Sequence, residues 1–355
     1  MKDIQIQGKP IIGENLPAYI IAEMSANHAG SIQRAKEIIH AAKEAGADCI
    51  KIQTYTPDTI TMDCSNEYFQ ITSGIWKGEN LYQLYGKAFT PWEWQPELKK
   101  EAEKVGIDFL STPFDRTAVD FLEDIELDFY KIASFEIVDI PLIEYTASKG
   151  KPMILSTGMA SLGEIEDAVC AIQKVGNGQI VLLKCASAYP AITDGMNLRT
   201  MQNMQETFQV HVGLSDHSRG SIGAVTAVAL GAKVIEKHFC ISREIENPDA
   251  PFSMEPQEFK QMVLDVRQAE RAVGNIQYGV TEQESANYRF RKSVFAVSGI
   301  KRGERFTTEN VRVIRPGAGM EPKHYKEILN RRAAADIKAG TPMSWELIGE
   351  GDEDE

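Results

Sequence analysis

Eight short runs of β-branched and other apolar residues recur roughly every 20 to 40 residues through the first 240 positions of this 355-residue chain. They are Tyr19–Glu23, Cys49–Gln53, Asp108–Thr112, Phe129–Ala133, Met153–Thr157, Ile180–Lys184, Val210–Leu214 and Val234–His238. Between them, segments such as Ile32–Ala45, Pro96–Val105, Leu162–Val175 and Ile222–Leu230 carry apolar residues at the spacing of amphipathic helices. Several of these segments end in a glycine suited to a helix C-terminus (Gly46, Gly106, Gly150, Gly231). Buried strands alternating with helices require a parallel sheet, and eight such units predict an α/β fold, a closed (β/α)8 TIM barrel. The competing architecture, an open doubly wound sheet, usually has fewer strands and a Gly-rich nucleotide loop after the first, which this chain lacks.

After about Tyr278 the pattern changes to short strands and turns, and Gly299–Thr307 is loosely repeated in Asp336–Ser344. The expected organisation is a barrel domain over 1–280, a linker over 281–293, a small domain over 294–350 and an acidic tail over 351–355. The segment Tyr55–Trp94 is long for a strand-to-helix connection and contains Tyr68, Phe69, Trp76, Tyr82, Tyr85, Phe89 and Trp92. Such a loop either faces substrate or forms a satellite cluster over the barrel rim.

A composition of 43% hydrophobic and 25% charged residues is that of a globular chain. No apolar run reaches membrane-spanning length and the start lacks a signal-peptide core, so a cytoplasmic location is expected. Five scattered cysteines without a CxxC pair suggest neither a disulfide framework nor a structural zinc site. A formal net charge of −13 argues against nucleic acid and anionic membrane as partners, so any anionic substrate needs a local cluster of cations.

In a TIM barrel the chemistry lies at the C-terminal ends of the strands. The polar residues predicted there are Glu23, Lys51, Gln53, Thr112, Lys131, Ser134, Ser156, Ser187, Tyr189, Ser215, His217, Glu236 and His238. Lysines inside apolar strands are costly unless paired. Either one alone could snorkel or pair with a barrel carboxylate; together, with Thr112, Ser134, Ser156 and Ser215 around them, Lys51 and Lys131 describe a pocket for phosphate or carboxylate. A single histidine is more often structural than a ligand, but His217 and His238 end successive strands, and Glu236 shares a face with His238. Two imidazoles in a mixed nitrogen and oxygen site suit a divalent metal, Mn²⁺ first, with Mg²⁺, Co²⁺ or Zn²⁺ as alternatives. His28 lies just past the first strand, and His40, His211 and His324 read as structural.

Taken in order, Ile21–Gly30, Lys51-Ile-Gln53-Thr54, Ser111-Thr-Pro-Phe114, Tyr130-Lys-Ile-Ala-Ser134, Leu155–Met159, Gly213-Leu-Ser-Asp-His217 and Glu236-Lys-His-Phe239 resemble the sialic acid synthase family, enzymes that condense phosphoenolpyruvate with an amino sugar. The resemblance covers nearly the whole chain, and Ser293–Leu347 is similar to the family's small module, which looks like type III antifreeze protein (a SAF, or β-clip, domain). Ile75–Tyr85, Thr90–Trp94 and Lys51–Pro57 look most like the pseudaminic acid synthase branch. In one departure, Cys185-Ala-Ser187-Ala-Tyr189-Pro stands where synthases acting on N-acetylmannosamine commonly carry Cys-x-Asn-x-Tyr-Pro; the shorter serine leaves the identity of the sugar open.

The resemblance implies that Lys51, Thr112, Lys131, Ser134, Ser156 and Ser215 bind phosphoenolpyruvate, that His217 and His238 hold the metal, that Glu236 orients the attacking water and that Glu23 contacts the sugar. Arg315, in Val313-Ile-Arg-Pro-Gly317, matches an arginine that reaches the sugar from the partner subunit, which implies a domain-swapped homodimer. The expected reaction joins phosphoenolpyruvate to 2,4-diacetamido-2,4,6-trideoxy-L-altrose, giving a nine-carbon 2-keto acid and phosphate by C–O cleavage. The alternatives are the same chemistry on another sugar, giving N-acetylneuraminate or legionaminate, and a Schiff-base aldolase using Lys51, Lys131, Lys184 or Lys237.

Overall fold

The computed structural model describes residues 1–349, so the expected acidic tail lies outside the described residues. The chain divides into two compact units, Met1–Gly274 and Asn275–Glu355.

The first unit opens with an antiparallel hairpin of β1 (Ile4–Ile6) and β2 (Lys9–Ile12) that the sequence pattern does not announce. The eight apolar runs follow as β3 (Tyr19–Glu23), β4 (Cys49–Thr54), β5 (Asp108–Pro113), β6 (Tyr130–Ile132), β7 (Met153–Ser156), β8 (Ile180–Cys185), β9 (His211–Asp216) and β10 (Val234–His238). They pair in parallel around a closed barrel, β10 returning to β3 with Val234 beside Tyr19 and His238 beside Glu23. The expected TIM barrel is the fold observed.

Each connection holds a helix, and local chemistry sets its ends. Ser31 caps Ile32–Glu44 by accepting from the Arg34 N–H, Ser161 and Glu164 form a reciprocal capping box on Leu162–Lys174, and Gly106 ends Gln95–Val105 in the left-handed region. Helices at Arg116–Asp124, Ile140–Ala147, Thr200–Phe208, Ile222–Ala229 and Pro256–Val273 complete the outer ring.

Successive strand residues alternate between the barrel interior and the helix layer. The lower interior is apolar: Tyr19, Ile21, Cys49, Leu110, Phe129, Ile154, Val181, Leu183 and Val234 form one cluster, closed at the strands' N-terminal end by Ile4, Ile11 and Ile12 of the hairpin. One step of two residues further along, the interior positions become Glu23, Lys51, Thr112, Lys131, Ser156, Cys185, Ser215 and Glu236, all buried. A dry floor and a charged upper storey thus follow from a single alternation. The opposite faces, with Ile20, Ile50, Ile52, Leu155, Leu182, Val212, Leu214 and Ile235, belong to the larger cluster packed against the helices.

The second unit is built around β11 (Ser293–Ala296) and β12 (Val311–Ile314), which are antiparallel, over a core that includes Val294, Ile300, Phe306, Val311, Ile328, Ile337 and Met343. The loose repeat has a structural meaning. Ile300 and Ile337, at matching positions of its two copies, exchange backbone hydrogen bonds, each N–H donating 2.8 Å to the other's carbonyl. The stretch read as a linker contains a 3₁₀ helix, Glu282–Phe290. Among the described residues no helix is long and apolar enough to cross a membrane.

Gly213 leaves no room for a side chain: a Cβ there would stand 2.3 Å from the Val234 carbonyl oxygen and 2.8 Å from Leu183 Cδ2. Gly213→Ala is therefore expected to destabilise the barrel by about 1–3 kcal/mol through overpacking, read as a lower urea midpoint with an unchanged slope.

Candidate active site

Two lysines and two glutamates meet in the upper storey, on β3, β4, β6 and β10. Lys51 Nζ lies 2.7 Å from Glu23 Oε2 and 3.5 Å from Glu236 Oε1, and Lys131 Nζ lies 3.7 Å from the same Glu236 oxygen. All four side chains are buried. Burial alone would neutralise each of them. Here it pushes the Glu23 carboxyl up, against the pull of Lys51 and with the repulsion of Glu236, and pulls Lys131 down despite Glu236. At Lys51 the two carboxylates outweigh burial and raise the ammonium, and at Glu236 the charges of Lys131, Lys51 and His217 outweigh burial and hold the carboxyl low.

The hydroxyls expected around the lysines are in place. Lys51 donates to Thr112 Oγ1 at 3.3 Å, Lys131 to Ser156 Oγ at 2.7 Å, and Ser215 to Glu236 Oε1 at 3.3 Å. Ser134 Oγ accepts from the Gly158 N–H at 3.2 Å, which fixes the serine hydroxyl on the same side. Gln53 donates to both Glu23 Oε1 and Ser25 Oγ at 2.9 Å and so fixes the glutamate rather than standing as a separate contact.

Beside this cluster the rings of His217 and His238 lie with centroids 5.3 Å apart. His217 Nδ1 faces the Ala186 carbonyl at 3.2 Å, which leaves Nε2 for a ligand. His238 Nδ1 is buried without a hydrogen-bond partner, its nearest carboxylate being Asp249 Oδ2 at 3.9 Å. Burial and then the positive charge of His217, Lys51 and Lys131 keep His238 neutral, the form that ligates. An orphaned buried nitrogen beside a second imidazole fits a divalent ion. Among the described residues no group of three or more His, Cys, Asp and Glu side chains is arranged to hold a metal, so the protein would supply two ligands and the remainder would come from substrate and water. The second buried oxygen of Glu236 also has no hydrogen-bond partner.

An aromatic wall stands over the imidazoles. Tyr189 lies 4.4 Å from His217, Phe252 lies 4.9 Å from His238, and Trp76 packs 5.6 Å from Tyr189, its indole N–H donating 3.1 Å to the Pro248 carbonyl. The long aromatic segment thus divides: Trp76 reaches the site, Trp92 packs on Phe121 outside it, and Tyr68 faces solvent. Ser187 is half-buried, 3.6 Å from Cys185. Arg315 is exposed just past β12, in the second unit. Lys184 and Lys237 occupy outward positions on β8 and β10, away from the pocket, so only Lys51 and Lys131 face a substrate.

Asp249, Phe252 and Cys185 near the imidazoles, and Glu136 on the Lys131 side, escaped the sequence reading. Asp249 accepts from the Ala26 N–H at 3.2 Å and, with Phe252, follows β10. Cys185, given no role by the sequence beyond opening the Cys185-Ala-Ser187-Ala-Tyr189-Pro stretch, sits 3.7 Å from His217 Nδ1; burial opposes its ionisation, but His217 brings it down to about 7. Glu136, just after β6, has an unpartnered buried oxygen and is raised to about 7 by burial. The signal available for Asp249, Phe252 and Glu136 was position alone, in loops at the strands' C-terminal ends.

The NeuB family profile matches residues 38–278 and a SAF domain profile matches residues 291–348. The pseudaminic acid synthase of Campylobacter jejuni is 46% identical over 92% of this chain and 95% of its own length. The N,N'-diacetyllegionaminic acid synthase of the same organism is 38% identical over 90% of this chain and 96% of its own. The crystal structure of an N-acetylneuraminic acid synthetase from Leptospira borgpetersenii superposes with a TM-score of 0.72 at 31% identity, covering 81% of this chain and 95% of that one.

Removing one charge from the cluster should expose the mutual dependence of the four. Lys51→Met leaves Glu23 without its close partner, and the expected cost is about 3–5 kcal/mol. Adding Glu23→Gln to the same chain should recover a large part of that loss, measured by urea unfolding of both variants.

Proposed function

We propose, starting from the fact that the chain belongs to the NeuB family, that it condenses phosphoenolpyruvate with a 2,4-diacetamido-2,4,6-trideoxy-L-altrose, acting as a pseudaminic acid synthase. The observation that carries this reading is the buried pair Lys51 and Lys131, ringed by Thr112, Ser134, Ser156 and Ser215, directly beside two imidazoles. That combination suits an anion and an aldehyde held together. Two features favour this sugar: the greater identity to the pseudaminic than to the legionaminic enzyme of one organism, and the apolar wall of Trp76, Tyr189 and Phe252, which suits a methyl at C6.

In this mechanism His217 and His238 would hold a divalent ion, Mn²⁺ first, which would polarise the aldehyde of the open-chain sugar. Lys51 and Lys131 offset the phosphate and carboxylate charges of phosphoenolpyruvate, and the surrounding hydroxyls orient them. C3 of phosphoenolpyruvate attacks C1 of the sugar, forming the new C–C bond and leaving cationic character at C2. Glu236, whose free oxygen faces no protein donor, holds the water that adds at C2 and accepts its proton. The tetrahedral product loses phosphate as the C2–O bond breaks, giving the 2-keto acid; of the two protons of the added water, one ends on the former aldehyde oxygen, now a hydroxyl, and the other leaves with phosphate. Glu23, fixed by Gln53 and raised by burial, is placed to hydrogen-bond the sugar. Arg315 would reach the sugar of a second copy's barrel, so the active form would be a domain-swapped homodimer.

Phosphate release from phosphoenolpyruvate should appear with the altrose sugar and not with N-acetylmannosamine or the legionaminic precursor. It should stop on chelation with EDTA and return with Mn²⁺, whereas His217→Ala should not respond to added metal. Glu236→Gln should lower kcat by on the order of 10²–10⁴. Release with another sugar alone would keep the chemistry and overturn the substrate; silence with all three would overturn the reaction.

A further inference from the structure

Behind the two imidazoles, on the helix side of the sheet, lies a second buried ion pair that the proposed chemistry does not use. Lys237 Nζ is 2.7 Å from Asp216 Oδ2, and both residues are 1% exposed. The neighbouring outward positions, Leu214 and Ile235, are apolar and belong to the main core. A buried pair in such a layer is poor stabilisation, since apolar side chains of similar volume often serve stability as well or better.

The geometry gives the pair another task. The Lys237 ammonium also donates to the Ser218 carbonyl at 2.6 Å and to the Gly220 carbonyl at 3.0 Å, so all three of its protons are committed. Asp216 in turn accepts from the Ser218 N–H at 2.8 Å with its other oxygen. Asp216 and Ser218 flank His217, and Lys237 precedes His238. One ammonium therefore ties the carboxylate that precedes the first imidazole and the backbone that follows it to the strand that carries the second. The helix over Ile222–Ala229 makes room for it: a Cβ on Gly223 would stand 2.9 Å from Asp216 Oδ2 and 3.0 Å from Met196 Cε.

We infer that Lys237 and Asp216 form a clamp that sets the separation and orientation of His217 and His238, and that they are positioning residues for the imidazole pair rather than contributors to stability. As a statement about metal binding this rests on the reading of His217 and His238 as ligands; as a statement about the 217–221 loop it does not.

The test compares Lys237→Met, the double variant Asp216→Leu/Lys237→Met, and Gly223→Ala, which presses on the Asp216 carboxylate without removing a charge. Three quantities are measured on the purified full chain: thermal midpoint, amide deuterium exchange, and Mn²⁺ affinity by calorimetry. Lys237→Met should weaken Mn²⁺ binding about 10–100-fold and speed exchange about tenfold or more in residues 217–221. The double variant should regain most of the thermal midpoint while its Mn²⁺ affinity stays low and its loop exchange fast. Gly223→Ala should weaken Mn²⁺ binding in the same direction without a matching loss of midpoint. Wild-type Mn²⁺ affinity in the double variant, or unchanged exchange at 217–221 in Lys237→Met, would overturn the inference. A wild-type chain that binds no Mn²⁺ would defeat the ligand reading instead, and the exchange data would still decide the clamp.

Discussion

The buried lattice of Glu23, Lys51, Glu236 and Lys131 is the interaction on which the rest of the site depends. None of the four would stay charged alone in a protein interior; partners of opposite sign hold Lys51 and Glu236 in their charged forms and counter the burial of Glu23 and Lys131. The arrangement also leaves the pocket adjustable. Burial raises the Glu23 carboxyl and lowers the Lys131 ammonium, each towards its neutral form. Preorganised charge of this kind costs nothing further at the moment of reaction.

The barrel allows this because one backbone alternation serves two purposes. Along each strand the interior is apolar at the N-terminal end and polar two residues later, as in Ile21 to Glu23, Cys49 to Lys51, Phe129 to Lys131 and Val234 to Glu236. The hairpin β1–β2 seals the floor, so the charged storey opens only upward. On the helix side, the Lys237–Asp216 pair is a polar intrusion into an otherwise apolar layer beside the imidazoles, and it sits where the strands leading to His217 and His238 run side by side.

Much of this was legible in the residues. Recurring apolar, β-rich runs located every barrel strand to within two residues, and position at the C-terminal ends of those runs gathered Lys51, Thr112, Lys131, Ser156, Ser215, Glu236 and His238, because a strand's extent is a local property of the sequence. The repeat around Ile300 and Ile337 was visible, though not that its copies hydrogen-bond one another. The hairpin over residues 4–12 was missed because its short strands show no clear alternation and its turn, at Gln7 and Gly8, carries positive φ at both positions. Glu136, Asp249 and Phe252 were missed because loop residues have no period, and only tertiary packing decides that they converge. Lys237 was read as a possible nucleophile; its outward parity beside Glu236 and His238 already placed it on the other face of the sheet.

The central claim is that phosphate departs by cleavage of the C–O bond after water adds at C2, inside a pocket built from two lysines and two imidazoles. It is tested most directly with phosphoenolpyruvate carrying ¹⁸O in the bridging position, turned over with the diacetamido-trideoxy-altrose and analysed by mass spectrometry of both products. The account predicts the label in inorganic phosphate and an unlabelled keto group in the nine-carbon acid. Label retained in the acid would mean P–O cleavage and would contradict it.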